Sequence, residues 1–205
     1  MDTVVVDLSH WNPTPDWAAL KDSGVCGVNV KATEGTSYVD EAFHSRYGDA
    51  IAAGLAVSTY HFFKAGSVEA QMNHYLNTVK PRDGERMCID HEEKASLAEL
   101  EQAVAYMNTD SRNLQISVYS GHLIKDQLGN NRSDVLAGTS LWIAHYTTKS
   151  APTWPTATWP TWSLWQFTDA AKVAGISQPV DGNRFNGSSE NCVKWIGPPK
   201  NVESA

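Results

Sequence analysis

The sequence predicts an α/β fold in which parallel strands close into a barrel that loses its helices in the last third of the chain. Three observations carry this. Residues 3–120 alternate between strand-like and helix-like segments, which implies parallel strands joined by right-handed crossovers. The strand side chains sort by position into a polar and an apolar set. Finally, "TTKSAPTWPTATWPT" (147–161) separates two late strand-like runs and is too rich in Pro and Thr to form a helix. The 205 residues also fall short of the ~250 usual for a complete eightfold barrel.

"TVVVD" (3–7) reads as a buried strand, with a helix starting near Thr14–Pro15–Asp16. "VCGVNVKAT" (25–33) is a second strand, and "DEAFHSRYGDAIAAG" (40–54) a helix ending at a glycine stop. "LAVSTYHFF" (55–63) is a third strand, followed by "SVEAQMNHYLNTVK" (67–80), a helix with Ser67 as its expected cap, running to Pro81. "RMCID" (86–90) gives a fourth strand, "SLAELEQAVAYMN" (96–108) a helix and "LQISVYS" (114–120) a fifth strand. Beyond residue 120 the rhythm changes. "SLWIAHY" (140–146) and "WSLWQFT" (162–168) look like strands, and "AKVAGISQPVDGNRFN" like a short hairpin or irregular ending. Residues 1–197 are taken as a single domain and 198–205 as a frayed tail.

Alternate residues of a strand face opposite ways. One parity collects Asn29 and Lys31, Ser58 and Tyr60, Arg86, Cys88 and Asp90, then Ser117 and Tyr119. The other collects Val28, Val30, Val57, Met87, Ile89, Ile116 and Val118. Helices on the outside need the apolar set, so the polar set must line an interior. An open doubly wound sheet would want both faces apolar.

A formal charge of −7 and a pI near 5.4, with no cluster of Lys and Arg, argue against nucleic acid as a partner. No apolar run of about 18 residues is present for membrane insertion. "MDTVVVDLSHW" lacks the pattern of a secretory signal, so the chain is expected to start out cytoplasmic. Cys26, Cys88 and Cys192 form no pair at metal-binding spacing. No metal or other cofactor is expected. The eight tryptophans suit stacking on carbohydrate, although core packing absorbs many such rings.

"MCIDHEEK" (87–94) ends an apolar approach in four consecutive titratable groups, which a solvated turn or a working strand end could explain. Asp90 and Glu92 are two apart, so both point to the same side with Cα atoms roughly 6.6 Å apart. His91 is expected to face the helix layer and Glu93 the solvent. Parallel barrels carry their chemistry at the C-terminal rim. Asp7 ends the first strand there, and Asp181 reaches the rim if the last strand closes the barrel. Clustered acids suit glycosidic cleavage: one carboxyl donates a proton to the leaving oxygen, while another meets positive charge at the anomeric carbon. Neighbouring charge raises the pKa of one member, and Glu92 is the expected proton donor.

"VVVDLSHWN", "VKATEGTSYVDEAF", "GLAVSTYHFF", "CIDHEE", "SVYSGHL", "LWIAHY", "LWQFT" and "PVDGNRF" occur in the order seen in family-25 glycoside hydrolases, which the chain resembles over roughly residues 3–186. These are the Chalaropsis-type lysozymes, or N-acetylmuramidases, of bacteria, fungi and many phage endolysins. The resemblance implies a flattened, incomplete TIM-like β/α barrel that hydrolyses the β-1,4 bond between N-acetylmuramic acid and N-acetylglucosamine in peptidoglycan. It points to Asp7, Asp90, Glu92 and Asp181 as the acidic cluster, with Glu92 the acid. Asp90 would support attack by the substrate's own acetamido group. Roles for Asp90 as direct nucleophile, or as base for an inverting water, stay open. The family pattern also makes Tyr38, Tyr60, Tyr119 and Tyr146 sugar contacts.

By parity Trp142 is a candidate stacking platform, and Gln166 rather than Trp165 faces the lumen. Lys31 and Glu34 are expected to hold the acid network together, and Trp154 and Trp159 to pin the Pro-rich loop. The size and the missing signal suggest a monomeric phage or prophage endolysin, held in the host cytoplasm and acting on the wall after release. Two rivals remain. A family-18-like chitinase shares D-x-E, but its denser D-x-x-D-x-D-x-E motif meets Cys88 four positions before Glu92. A metal-dependent amidase or deacetylase would use Asp7, His10, His61 and Asp90, yet His61 has the wrong parity for the lumen.

Overall fold

The computed structural model describes residues 4–197, so the tail expected at 198–205 lies outside the described residues. The strands are β1 (Val4–Leu8), β2 (Gly27–Glu34), β3 (Tyr38–Val39), β4 (Ala56–Phe62), β5 (Arg86–Asp90), β6 (Gln115–Ser120), β7 (Ser140–Ala144), β8 (Leu164–Ala171) and β9 (Val180–Phe185). The helices are α1 (Trp17–Asp22), α2 (Phe43–Ala52), α3 (Val68–Val79), α4 (Leu97–Met107), α5 (His122–Leu128), α6 (Asp134–Ala137) and α7 (Ser189–Ile196).

The strand order β1-β9-β8-β7-β6-β5-β4-β2, joined back by β1–β2, is a closed ring of eight strands, with β3 hanging outside it on β2. From β1 through β2 to β8 neighbouring strands of the ring run parallel, as alternation predicts. β9 runs antiparallel to both β8 and β1. The incompleteness is therefore in the helices and not in the ring. The ending expected as a short hairpin or irregular segment holds one strand, β9, which forms its hairpin with the preceding β8 and closes the barrel.

The structure corrects three local expectations. The helices persist past residue 120 as the short α5 and α6, and are missing only from the β7–β8 and β8–β9 connections, the first of which is the Pro-rich segment. Ser67 precedes α3 but has φ 47° and forms no side-chain cap. That turn is instead organised by Gln71, whose amide donates to the carbonyls of Lys64 and Gly66 and accepts from the Lys64 N–H. Third, α7 forms over residues for which no helix was expected.

The apolar parity set packs outward against the helices. Val28, Val30, Met87, Ile89 and Val118 are fully buried in that layer, where removing them from water stabilises the fold by roughly 1.5–3 kcal/mol per side chain. Trp159, fully buried there, donates to Thr139 Oγ1, and Trp154 donates to the Trp159 carbonyl, so the Pro-rich loop is pinned as expected.

The lumen gathers its acids at its C-terminal end. Its other end holds Val5, Cys26, Ala56, Leu164, Cys192 and Ile196, with α7 as the plug. The Arg86 guanidinium lies 4.1 Å over the Trp195 ring and donates to the Trp195 carbonyl, which fastens the plug to β5. Gly27 makes the fit possible: a Cβ there would sit 2.5 Å from the Ala56 carbonyl oxygen and 2.8 Å from Ile196 Cδ1. Gly27→Ala should therefore destabilise by about 1–3 kcal/mol through overpacking. Chemical unfolding tests this, and an unchanged midpoint would show that α7 does not seat against β2 in solution.

Candidate active site

The rim of the ring gathers the chemistry. A pocket of 220 Å³ is lined by Asp7, Asp90, Glu92 and Asp181 together with Tyr60, Tyr119, Trp142, Tyr146 and Gln166. All four acids singled out in the sequence meet here, with five of the six expected sugar contacts. Tyr38 is the exception. It lies on β3, outside this pocket, with its hydroxyl 3.4 Å from His10 Nδ1.

Each acid is placed by strand geometry. Asp90 is the last residue of β5, held in register by Phe62 on one side and Tyr119 on the other. Pairing continues one step further, because the His91 N–H donates to the Tyr119 carbonyl at 2.8 Å. His91 turns outward to Gln127 of α5, leaving Asp90 and Glu92 to face the pocket together. Glu93 is exposed. Asp7 and Asp181 are direct cross-strand partners on β1 and β9. Because β9 runs antiparallel, its beginning is what reaches the rim.

An amide network fixes Asp7. Tyr119 and Tyr146 both donate to Gln166 Oε1 at 2.9 Å, so the Gln166 nitrogen must point the other way, toward Asp7 Oδ2 at 3.3 Å. The Trp142 indole donates to Asn183 Oδ1 at 2.7 Å, which turns Asn183 Nδ2 toward Asp7 Oδ2 at 2.8 Å. Trp142 is only 2% exposed and meets the Tyr119 ring edge-on at 4.7 Å, so it forms the floor of the pocket and offers no open stacking face. Asn183 received no role from the sequence. Its parity with Asp181, two positions away on the last strand, was the available signal.

Burial, more than mutual repulsion, sets the charge states. Asp7 is pushed up to about 8, first by desolvation and then by the charge of Asp181, against the hydrogen bonds from Asn183 and Gln166. It holds a proton at neutrality and shares it with Asp181, whose own rise is also due first to burial. Asp90 is raised well above the usual carboxylate range by desolvation and by Glu92, and Lys31 opposes this. Its buried Oδ1 meets no hydrogen-bond donor among the described residues. Glu92 is raised by desolvation and by Asp181 and Glu93, again against Lys31. Lys31 itself is tied to Glu34 at 2.7 Å, and Lys64 holds the other Glu34 oxygen at 2.6 Å.

The ligand set imagined for a metal does not assemble. His61 is buried in the outer layer, 2.8 Å from Thr33 Oγ1, and His10 pairs with Asp40 at 2.7 Å.

The raised Asp7 gives a stability prediction. Between about 3.8 and about 8 the folded protein keeps a proton that the unfolded chain has released, so stability falls as pH rises through that window. Asp7→Asn removes this slope while keeping a donor toward Asp181. Its unfolding midpoint should exceed the parent's, more so at about pH 8 than at about pH 5. A gain independent of pH would mean that Asp7 is ionised in the fold.

Comparison with known proteins fits this geometry. The sequence profile of the glycosyl hydrolases family 25 matches residues 6–176. Lysozyme M1 of Streptomyces globisporus is 29% identical, over 92% of this chain and 69% of that one. The bacterial lysozyme from Streptomyces coelicolor superposes with a TM-score of 0.85 at 27% identity, covering 96% of this chain and 98% of the other. The muramidase from Acremonium alcalophilum superposes with a TM-score of 0.75 at 27% identity, covering 95% and 99%. Profile, relatives and fold agree, and the chain belongs to the family-25 glycosyl hydrolases.

Proposed function

We propose that the protein is a lysozyme that cuts peptidoglycan at the β-1,4 bond following N-acetylmuramic acid, with Glu92 as general acid. The glycosidase activity goes with the family. The assignment of roles rests on one observation: Asp90 and Glu92 face the same pocket, and the buried Asp90 Oδ1 has no donor in the protein. An acetamido N–H is a donor of the kind that oxygen lacks. Its arrival favours the carboxylate form of Asp90. The acetamido carbonyl oxygen then attacks the anomeric carbon as Glu92 gives its proton to the leaving oxygen. Glu92, now ionised, takes a proton from the water that opens the cyclic intermediate. Asp7 and Asp181 add a buried, proton-sharing pair that keeps negative charge beside the developing cation.

Tyr60, Tyr119, Tyr146 and Gln166 are read as sugar contacts, Trp142 as their support, and Tyr38 as a contact reached only outside the central pocket. The proposal takes the domain as a monomer, since one chain supplies all four acids. It is made in the host cytoplasm and reaches the wall on release.

Glu92→Gln should cost about 10²–10⁴ in rate. Asp90→Asn should lose most activity and Glu93→Gln almost none. Digesting purified peptidoglycan in heavy-oxygen water, with mass spectrometry of the fragments, should place the label on a new muramic reducing end. Label on glucosamine would replace the muramidase reading.

The pH profile supplies a separate check. Activity should fall on the alkaline side as Glu92 loses its proton. Asp181 raises the Glu92 pKa and Lys31 lowers it. Asp181→Asn should thus move the alkaline limb to lower pH and Lys31→Met to higher pH. Shifts of opposite sign would remove Glu92 from the acid role.

A further inference from the structure

Beyond the acidic pocket the cleft continues into a second lobe of 540 Å³. Glu92, Tyr119, Tyr146 and Gln166 belong to both lobes, so Glu92 stands at the seam. The second lobe is otherwise walled by Gly121, His122 and Leu123 at the start of α5 and by Ala144 and His145 at the end of β7. Its electrostatics reverse those of the first. Lys125 and Lys149 lie close enough behind this wall to act on His145, and their positive charge, after desolvation, holds its pKa down. The Thr153 N–H donates to His145 Nδ1 at 3.0 Å, so the neutral ring carries its proton on Nε2 and presents a donor. Neither Lys125 nor Lys149 has an ion-pair partner among the described residues, and Asp126 is the one acid whose charge reaches Lys125. A lobe that offers a His145 N–H donor with two lysines close behind it, beside four carboxyls on a chain of formal charge −7, suits an anion.

We propose that this lobe docks the acidic stem peptide carried by the glycan on the leaving-group side of the cut. The proposal rests on reading the first lobe as the sugar site. Cleavage needs one sugar against Asp7, Asp90 and Asp181, with the leaving oxygen at Glu92. Whatever lies past Glu92 therefore belongs to the departing half of the strand. The sugars there are uncharged, but the peptides that hang from muramic residues bear carboxylates. Lys125 and Lys149 supply the long-range attraction, and His145 Nε2–H a directed hydrogen bond.

The test uses two soluble glycan oligomers of equal length, one with its stem peptides and one with the stems removed by an amidase and the lactyl carboxylates so exposed converted to neutral amides. The parent enzyme should show a KM about three- to tenfold lower on the stem-bearing oligomer, with similar kcat. Lys125→Ala/Lys149→Ala should abolish that difference and leave the rate on bare glycan unchanged. Lys149→Glu, at an exposed position where folding is not at stake, should raise KM on the stem-bearing oligomer alone. Equal KM values for the parent enzyme, or variants that lose equally on both oligomers, would overturn the docking site. If the parent enzyme cuts neither oligomer, the glycan reading fails first and takes the docking site with it.

Discussion

The pairing of β1 with β9 is the constraint on which the site depends. It sets Asp7 opposite Asp181 and closes the ring. Were β9 parallel to its neighbours, its C-terminal end and not its beginning would meet the rim, and Asp181 and Asn183 would lie at the plugged end. One antiparallel strand thus gives the barrel two carboxyls on adjacent strands and the amide that orients one of them. The same strand, two residues on, carries the hydrogen bond to the Val5 carbonyl through Asn183. Closure of the fold and orientation of Asp7 are consequently one structural event.

Burying carboxyls costs stability unless charge is removed or paired. Here both remedies are used in part. Protons stay on Asp7 and Asp90, whose pKa values burial raises furthest, Glu92 is raised too, and Lys31 opposes the rise in both Asp90 and Glu92. Lys31 is itself partly neutralised by Glu34, which also binds Lys64. Pairing with Glu34 weakens the pull of Lys31 on the acids, and a free Lys31 would lower Asp90 and Glu92 further. The Lys31–Glu34–Lys64 chain tunes proton affinity without entering the pocket.

The parts of this arrangement that depend on local periodicity were legible in the sequence. Period-two alternation placed Lys31, Tyr60, Asp90 and Tyr119 in the lumen and His61 and His91 outside, and it separated Gln166 from Trp165. What escaped depends on contacts far apart in sequence. Ser67 carries a good capping side chain, yet Gln71 and Glu99 dictate its backbone from outside. The apolar plug was hidden because α7 is short and its pattern makes sense only against Gly27 and Ala56. Trp142 had the right parity for a platform, but depth along the strand, which parity does not encode, buried it. The dominant cause of the raised carboxyls, desolvation, likewise needs a closed barrel before it can act, whereas the repulsion visible in D-x-E is secondary.

The two lobes divide the labour of one cleft by charge. In the first, desolvated acids hold protons and await positive charge on a sugar. In the second, uncompensated cations border a wider and more open space. A strand lying across both would experience a field running along its length, with the neutral sugar next to Glu92 at the crossing point. The reaction itself depends on a balance closer to hand. Lys31 favours loss of the Glu92 proton, while desolvation, Asp181 and Glu93 favour its retention. A group that must first give a proton to the leaving oxygen and later take one from water is best placed where such influences oppose one another, and Glu92, so placed, is the acid that lines both lobes.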